Sequence, residues 1–372
     1  MPKTKGAPRD YQALLTGVLL VGVIVLAARM MVADVRVYGG YAAAFLSHFS
    51  FPREYPPLSL IAMLLPEALV RWLHIPYQIA WLGISAGVLA ILVRVVKQPL
   101  VLIALAITSG TLLGTYDLYP ILAMVLAYLT IDKKPGLSWL LLGVSIALKL
   151  FPVLFIPLWW QRSRKGWAYG LIPLLTFYPP AMWSVLHYQF ARQAEWESTV
   201  SLLSWIFGHS SMVLQLGYGS YEYFNGMSAA IGILLQVAFV GLFVWIAFLR
   251  RDLPLIERMI LLLSFWFLTN KVLSVQYVFW VMFLAFLYGR HLWHWTVLGW
   301  ATGIEFPLFT IFYAPLGEWL LSHRMPIVPM DIGMLLIGIR FAIWVWLLVR
   351  ILRGHSTAQR TAQDEVSLAA PS

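Results

Sequence analysis

The chain has no cysteine among its 372 residues, which excludes disulfides and any metal or iron–sulfur centre held by thiolates. Charge is scarce too. Only 11% of residues are Asp, Glu, Lys or Arg, where soluble domains carry about a quarter. An internal repeat is also missing, and with it the inverted-repeat signature of many transporters. Eight histidines are present, but His48, His187 and His209 show no metal-ligand spacing, and no other ligand set stands out. No metal and no cofactor are therefore expected.

What fills the chain instead is apolar. The hydrophobic share is 61%, the mean hydropathy is +0.79, and apolar segments recur from residue 12 to residue 350. These features predict a polytopic membrane protein folded as one helical unit over residues 1–353, followed by a disordered cytoplasmic tail over 354–372. Backbone facing lipid must satisfy its own hydrogen bonds, which leaves helices or closed barrels, and the runs are too continuously apolar for barrel alternation. The fold class expected is thus all-α, with about twelve spans. The net charge of +10 sits in short blocks between apolar runs, as membrane orientation demands, and no nucleic-acid partner is implied.

Residues 12–33 read as the first span, an uncleaved anchor with Lys3, Lys5 and Arg9 inside and Asp34 outside. In the loop that follows, Val35 to His48 and Leu58 to His74 look like two surface helices separated by the Pro52 to Pro57 break. Residues 76–96 return inward. The next basic blocks are Lys133-Lys134 and Arg162, Arg164 and Lys165. Two full crossings need about 40 residues, yet about 35 separate Lys97 from Lys133 and under 30 separate Lys134 from Arg162. These hairpins must be short, with tips at Gly114 to Asp117 and at Lys149 to Pro152. Residues 167–185 cross outward to a second loop, about 187–225, and 226–249 come back. A third short hairpin, 253–288, turns at Thr269 to Tyr277, and spans at about 293–313 and 331–349 end the helical unit. Both termini then lie inside.

This topology gathers Asp34, Tyr38, Glu54, Asp117, Lys149, Arg192, Glu195, Glu197, Asn270, Lys271 and Gln276 at the outer ends of spans or in outer loops. Bare charge at membrane depth survives only against protein or a wet cavity. Carboxylates and cations converging there suit a reaction in which a hydroxyl is deprotonated while an anionic group departs.

The run Asp34, Val37-Tyr38, Glu54 to Leu58 and Leu64 to Pro66 resembles polyprenol-phosphate-sugar-dependent glycosyltransferases of the GT-C superfamily. Within them it is most like glycosyltransferase family 87, which includes bacterial mannosyltransferases. Ala147 to Trp160, Ala191 to Ser198 and Asn270 to Trp280 are similar to further stretches of that family, in the same order. A departure is SHFSFPR, Ser47 to Arg53, shorter than the run that usually precedes the Glu-Tyr-Pro-Pro element. The resemblance implies a multi-pass enzyme of the bacterial plasma membrane, serving cell-envelope glycolipid biosynthesis with its active site facing outside. Its donor would be a polyprenyl-monophosphate sugar, mannose being commonest, and its acceptor a hydroxyl of a glycan or glycolipid. Asp34 would be the general base; Lys149, Arg192 and Lys271 would hold the donor phosphate; Tyr38, Glu54, Asp117, Glu197, Asn270, Gln276 and Tyr277 would line or support the cavity.

Each position has a plain structural alternative. Asp34 is also a natural N-cap for the helix beginning at Val35, and Tyr38 an interfacial anchor. Glu54 could brace its turn or pair with Arg53 or Arg36. Lys149 could snorkel or pair with Asp117, and Arg192 could pair with Glu195 or Glu197. Asn270 and Gln276 could be struts of the third hairpin. From another class, a secondary transporter or lipid flippase would use the same charges as a translocation path, and a non-catalytic scaffold stays open on the shortened Ser47 to Arg53 segment.

Overall fold

The structure, a computed structural model, describes residues 9–30, 34–208, 211–217, 220–309 and 328–369. It is helical nearly throughout. Helix α1 (Arg9–Met30) is followed by α2 (Asp34–His48), α3 (Leu60–Leu73), which a short 3-10 turn at Pro57–Ser59 introduces, and α4 (Tyr77–Val96). The expected surface helices and the return segment thus form within two residues of their predicted ends. Pro56 and Pro57 end the extended stretch because neither can donate to a preceding turn. His74 and Lys97 close α3 and α4 in the left-handed region, with φ of 56° and 58°.

Each of the three short hairpins breaks where its polar tip lies. The first is α5 (Leu100–Leu105), α6 (Ser109–Gly114) and α7 (Leu118–Thr130); the second is α8 (Pro135–Leu148), a 3-10 turn at Phe151–Phe155 and α9 (Ile156–Arg162). The third is α13 (Leu255–Thr269) and α14 (Gln276–Tyr288). Between them come α10 (Pro179–Ala191), α11 (Thr199–Gly208) and α12 (Ser228–Val244), the last running into a π turn at Trp245–Leu249. Helix α15 (Leu292–Gly303) likewise ends in a π turn, Ile304–Phe309, and α16 (Val328–Ala369) closes the chain. The loop expected after residue 313 lies outside the described residues, as do Lys3 and Lys5.

Two expectations need correcting. Residues 167–185 do not form one outward crossing: two 3-10 turns, Trp167–Leu171 and Pro173–Thr176, precede α10, because Pro173, Pro179 and Pro180 withhold the amide hydrogens that a continuous helix needs. The second loop carries a short strand pair. Strands β1 (Val213–Gly217) and β2 (Ser220–Phe224) pair antiparallel with Val213 opposite Phe224 and Gly217 opposite Ser220. Val213 in the first and Tyr221, Tyr223 and Phe224 in the second are strand-favouring residue types, a signal that the surrounding apolar runs obscured. Lastly, α16 continues through the polar segment to Ala369, where a disordered tail is expected; extending a helix already nucleated costs far less than starting one.

Among the described residues three helical stretches are long and apolar enough to cross a membrane: Tyr77–Val96, Ser228–Leu249 and Asp331–Gly354. Six further apolar helices among those residues are shorter, and three of them, Leu118–Thr130, Pro135–Leu148 and Gln276–Tyr288, have one end at a hairpin tip. The exterior is apolar as well. Leu14, Leu15, Val18, Val21 and Val25 on α1 and Ile233, Leu234, Val237 and Val240 on α12 are exposed, a surface that suits hydrocarbon better than water.

The core centres on α14, whose residues Val278 to Phe286 are buried without interruption, as befits a helix apolar on every side. Helices α7 and α8 are joined by two buried hydroxyls, Ser138 donating to the Ala127 carbonyl at 2.6 Å and Ser145 to the Pro120 carbonyl at 2.9 Å. Such polar ties across apolar helices replace the hydrophobic drive that lipid does not supply. A smaller aromatic core, Tyr38, Trp81 and Tyr116 with Tyr41, Tyr55, Tyr77 and Tyr119 packed against it, joins α2, α3 and α4 to the first hairpin.

Glycine sets one close approach. A Cβ at Gly143 of α8 would overlap the Gly170 carbonyl of the facing 3-10 turn, whereas one at Gly83 would meet nothing. Gly143→Val should therefore cost about 1–3 kcal/mol and lower the thermal transition of the detergent-solubilised protein, while Gly83→Ala should leave it unchanged or raised. Equal transitions for both variants would contradict this packing.

Candidate functional site

Four side chains of interest stand where a helix gives way to extended backbone: after α6 at Thr115 (ψ 159°), after α8 at Lys149 (φ −153°), after α10 at Arg192 (ψ 141°) and after α13 at Asn270 (ψ 144°). The freed backbone at these breaks lets polar side chains turn toward one region. There Lys149, a residue only 9% exposed, donates from its ammonium to Oδ1 of Asp117 at 2.6 Å. Trp280 of α14 donates its indole N–H to the same oxygen at 2.7 Å. The ammonium also lies 4.7 Å from the Tyr277 ring centroid and 5.1 Å from that of Tyr116, close enough for cation–π attraction. Tyr116 is fixed in turn by its hydroxyl, which donates to the Leu148 carbonyl at 3.3 Å. Tyr277 stacks on Phe267 at 5.0 Å.

Asp34 opens α2 and is half-buried. Its pKa is pushed up to about 6, first by burial and then by the negative charge of Glu54, Asp117 and Glu195, against the opposing pull of Lys149. The carboxyl thus lies within electrostatic reach of both members of the Asp117–Lys149 pair. Tyr38, one turn on, is 1% exposed and packs on Trp81 at 4.7 Å and Tyr116 at 6.0 Å. It is a buried wall joining α2 to the first hairpin, which overturns the interfacial-anchor alternative.

The loop after α10 supplies the other charged pair. Arg192 bonds Glu195, and Ser274 of the third hairpin donates to both Glu195 oxygens at 3.0 and 3.1 Å. Lys271 turns its ammonium onto the carbonyls of Phe190 and Arg192, while its own carbonyl accepts the Glu195 amide at 2.9 Å. Loop and hairpin are thereby stitched into one wall. Asn270 accepts the Val272 amide at 3.1 Å, a turn strut as its structural alternative supposes. Gln276 begins α14, half-buried, beside Tyr277.

Two expected members take other places. Glu54 lies beside the phenols of Tyr41 and Tyr188, whose pKa values are raised first by burial and then by its charge, and makes no ion pair with Arg36 or Arg53 among the described residues, so it supports its turn against α2 and α10. Glu197 makes no bond to the Asp117–Lys149 pair among the described residues, and its charged neighbours are Glu305, Arg340 and Glu195. It belongs to a second buried group with Glu305 and Arg340: Arg340 bonds the Glu305 carboxylate and donates to the Glu197 carbonyl at 2.7 Å, and all three residues are at most 8% exposed. Sequence reasoning left out Arg340 and Glu305, although single charges inside long apolar segments were the available signal. It also left out Trp280, whose spacing of three from Tyr277 sets both on one helical face.

Compared with protein-family models, with curated proteins and with solved structures, the chain matches none. Its chemistry must therefore be read from geometry. Among the described residues no group of three His, Asp or Glu is placed to hold a metal ion. The arrangement offers a carboxyl that changes charge near neutral pH, an ammonium held in an aromatic cage, and a stitched loop carrying Arg192 and Lys271. Together these can move a proton and steady an anion.

Two stability measurements follow. Breaking the buried pair from one side leaves an uncompensated charge, so Asp117→Asn and Lys149→Met should each cost about 3–5 kcal/mol, and the double variant much less than their sum in a double-mutant cycle. Additive losses would mean the two groups are not coupled. Asp34 behaves oppositely: its folded pKa lies above the unfolded 3.8, so the folded state binds the extra proton and stability falls as pH rises from about 4 through 6. Asp34→Asn should accordingly stabilise the protein at pH 7, by about 1–3 kcal/mol, and remove that slope.

Proposed function

We propose that the chain is an integral-membrane inverting glycosyltransferase of the GT-C type, resembling family 87, which moves a sugar, mannose above all, from a polyprenyl monophosphate to an acceptor hydroxyl. The observation that carries the reading is Asp34, a carboxyl with its pKa near 6, within electrostatic reach of the caged Lys149. In this mechanism Asp34 takes the acceptor proton as the hydroxyl oxygen attacks the anomeric carbon from the face opposite the phosphate. The new C–O bond forms as the old one breaks, with inversion, and the lipid phosphate leaves with the bonding pair. Lys149 spends one of its three donors on Asp117 and turns the others to the departing phosphate. Lys271 and Arg192 add positive charge from the stitched loop. No cofactor or metal is needed for this step.

In the same reading about twelve segments enter the membrane, the short hairpins from one side only. Both termini are cytoplasmic, and the site opens outward from a bacterial plasma membrane to meet donor and acceptor. The three long apolar helices and six shorter ones support a multi-pass arrangement. The donor's polyprenyl chain would run along the apolar exterior of the helices.

The buried group of Glu197, Glu305 and Arg340 favours a second reading. Ionisable residues enclosed within apolar helices commonly mark ion or substrate paths, so a secondary transporter or lipid flippase is the rival. One experiment separates the two. Purified protein is given polyprenyl-phospho-mannose and glycolipid acceptors, and in parallel is reconstituted into vesicles loaded with the same lipid. Transfer is expected, with a rate that rises with pH through about 6 as Asp34 ionises and that falls about 10²–10⁴-fold in Asp34→Asn. Wild-type transfer in that variant would sink the mechanism, and lipid movement across vesicles without transfer would establish the transporter. The topology has its own check: Lys134→Cys and Arg164→Cys in this cysteine-free chain should resist an impermeant maleimide applied to intact cells.

A further inference from the structure

A groove of about 600 Å³ lies far in sequence and character from the Asp34 region, where α9, the end of the α12 stretch and the start of α13 meet. Its polar lining is Gln161, Arg162, Arg164, Arg251 and Arg258, and no carboxylate lines it. Arg162 is already held by Asp132 at 2.7 Å, outside the lining, which leaves Arg164, Arg251 and Arg258 with no carboxylate bonded to them among the described residues. Arg258 is built in. It is 6% exposed and is anchored through Nη2 to Gln161 at 2.7 Å and to the Ala247 carbonyl at 2.6 Å, with Nε on the Ile246 carbonyl at 3.2 Å. Arg164 stacks over Trp160 at 5.5 Å, and Arg251 bonds the Phe248 carbonyl at 3.0 Å.

The remaining walls are apolar, and Trp160 and Phe248 are each 40% exposed there. The groove also lies at a definite level. Ser228–Leu249 is long and apolar enough to cross a membrane, and Arg251 follows its last residue by two positions. Positive charge and exposed aromatics at that boundary face phospholipid headgroups on one side and acyl chains on the other. A soluble anion would explain the arginines but leave Trp160 and Phe248 bare.

We propose that this groove is a binding site for an anionic membrane phospholipid, its phosphate between Arg164, Arg251 and Arg258 and its acyl chain along Trp160 and Phe248. The site is separate from the transferase reading and stands whichever reaction the Asp34 region performs. Lipid held here would fasten α9 to the α12–α13 turn.

Native mass spectrometry of the full chain tests it, after release from bilayers of equal phosphatidylglycerol and phosphatidylcholine. Selective retention of phosphatidylglycerol is expected, falling about 30-fold when both exposed arginines are replaced in Arg164→Gln/Arg251→Gln. Retention unchanged in that variant, or no preference for phosphatidylglycerol, would overturn the proposal. So would displacement of the lipid by inorganic phosphate at equal concentration, which would make the groove a free-anion site. Should the double variant not fold, the wild-type preference and its weakening when Trp160→Ala removes the apolar wall decide the matter alone.

Discussion

A buried ammonium needs a buried carboxylate, and the ion pair between Lys149 and Asp117 is the constraint around which this protein is arranged. Taking both charges out of water costs several kcal/mol per ion, so the pair persists only because other groups complete it. Trp280 comes from α14, Tyr116 from the first hairpin, and Tyr277 from the third. Three helical hairpins are thereby pinned at their tips. The central burial of α14 follows, since it must reach the pair with Trp280 while filling the middle of the bundle with Val278 to Phe286.

The second buried group extends this logic to the loop. Arg340 pairs with Glu305 and holds the carbonyl of Glu197, only two residues beyond Glu195, which itself joins Arg192 to Ser274. The last helix therefore sets the position of a loop about 140 residues earlier in the chain. In the proposed transferase this makes Arg340 a positioning residue rather than one that meets substrate. Rigid support of that kind is what a site built on loops requires.

Much of the fold was legible because hydrophobic length and basic punctuation are strong local signals. Tyr77–Val96 and Ser228–Leu249 stand where apolar runs end in Arg94, Lys97 and Arg250, and the helices of the hairpins break at the polar stretches that mark their tips. The broken stretch before α10 and the strand pair 213–224 were harder to see. Apolar content masked the backbone effect of Pro173 in the first, and alternation over only five residues was too short a pattern in the second. Likewise Asp117 and Lys149 could be assigned to a shared depth by counting residues, but Glu54 and Glu197 could not be told apart from site members by sequence position.

The sequence by itself determined the apolar character of the chain, its helical class, the places where helices must break and the polar residues those breaks carry. These depend on composition and spacing within a few tens of residues. Only the tertiary structure decided which of those residues meet. It paired Lys149 with Asp117 rather than with solvent, turned Lys271 onto carbonyls, set Glu54 beside Tyr41 and Tyr188, and tied the Glu197 carbonyl to Arg340. The reason is energetic. A buried charge is placed by the partner that best repays its lost hydration, and that partner arrives from distant parts of the chain.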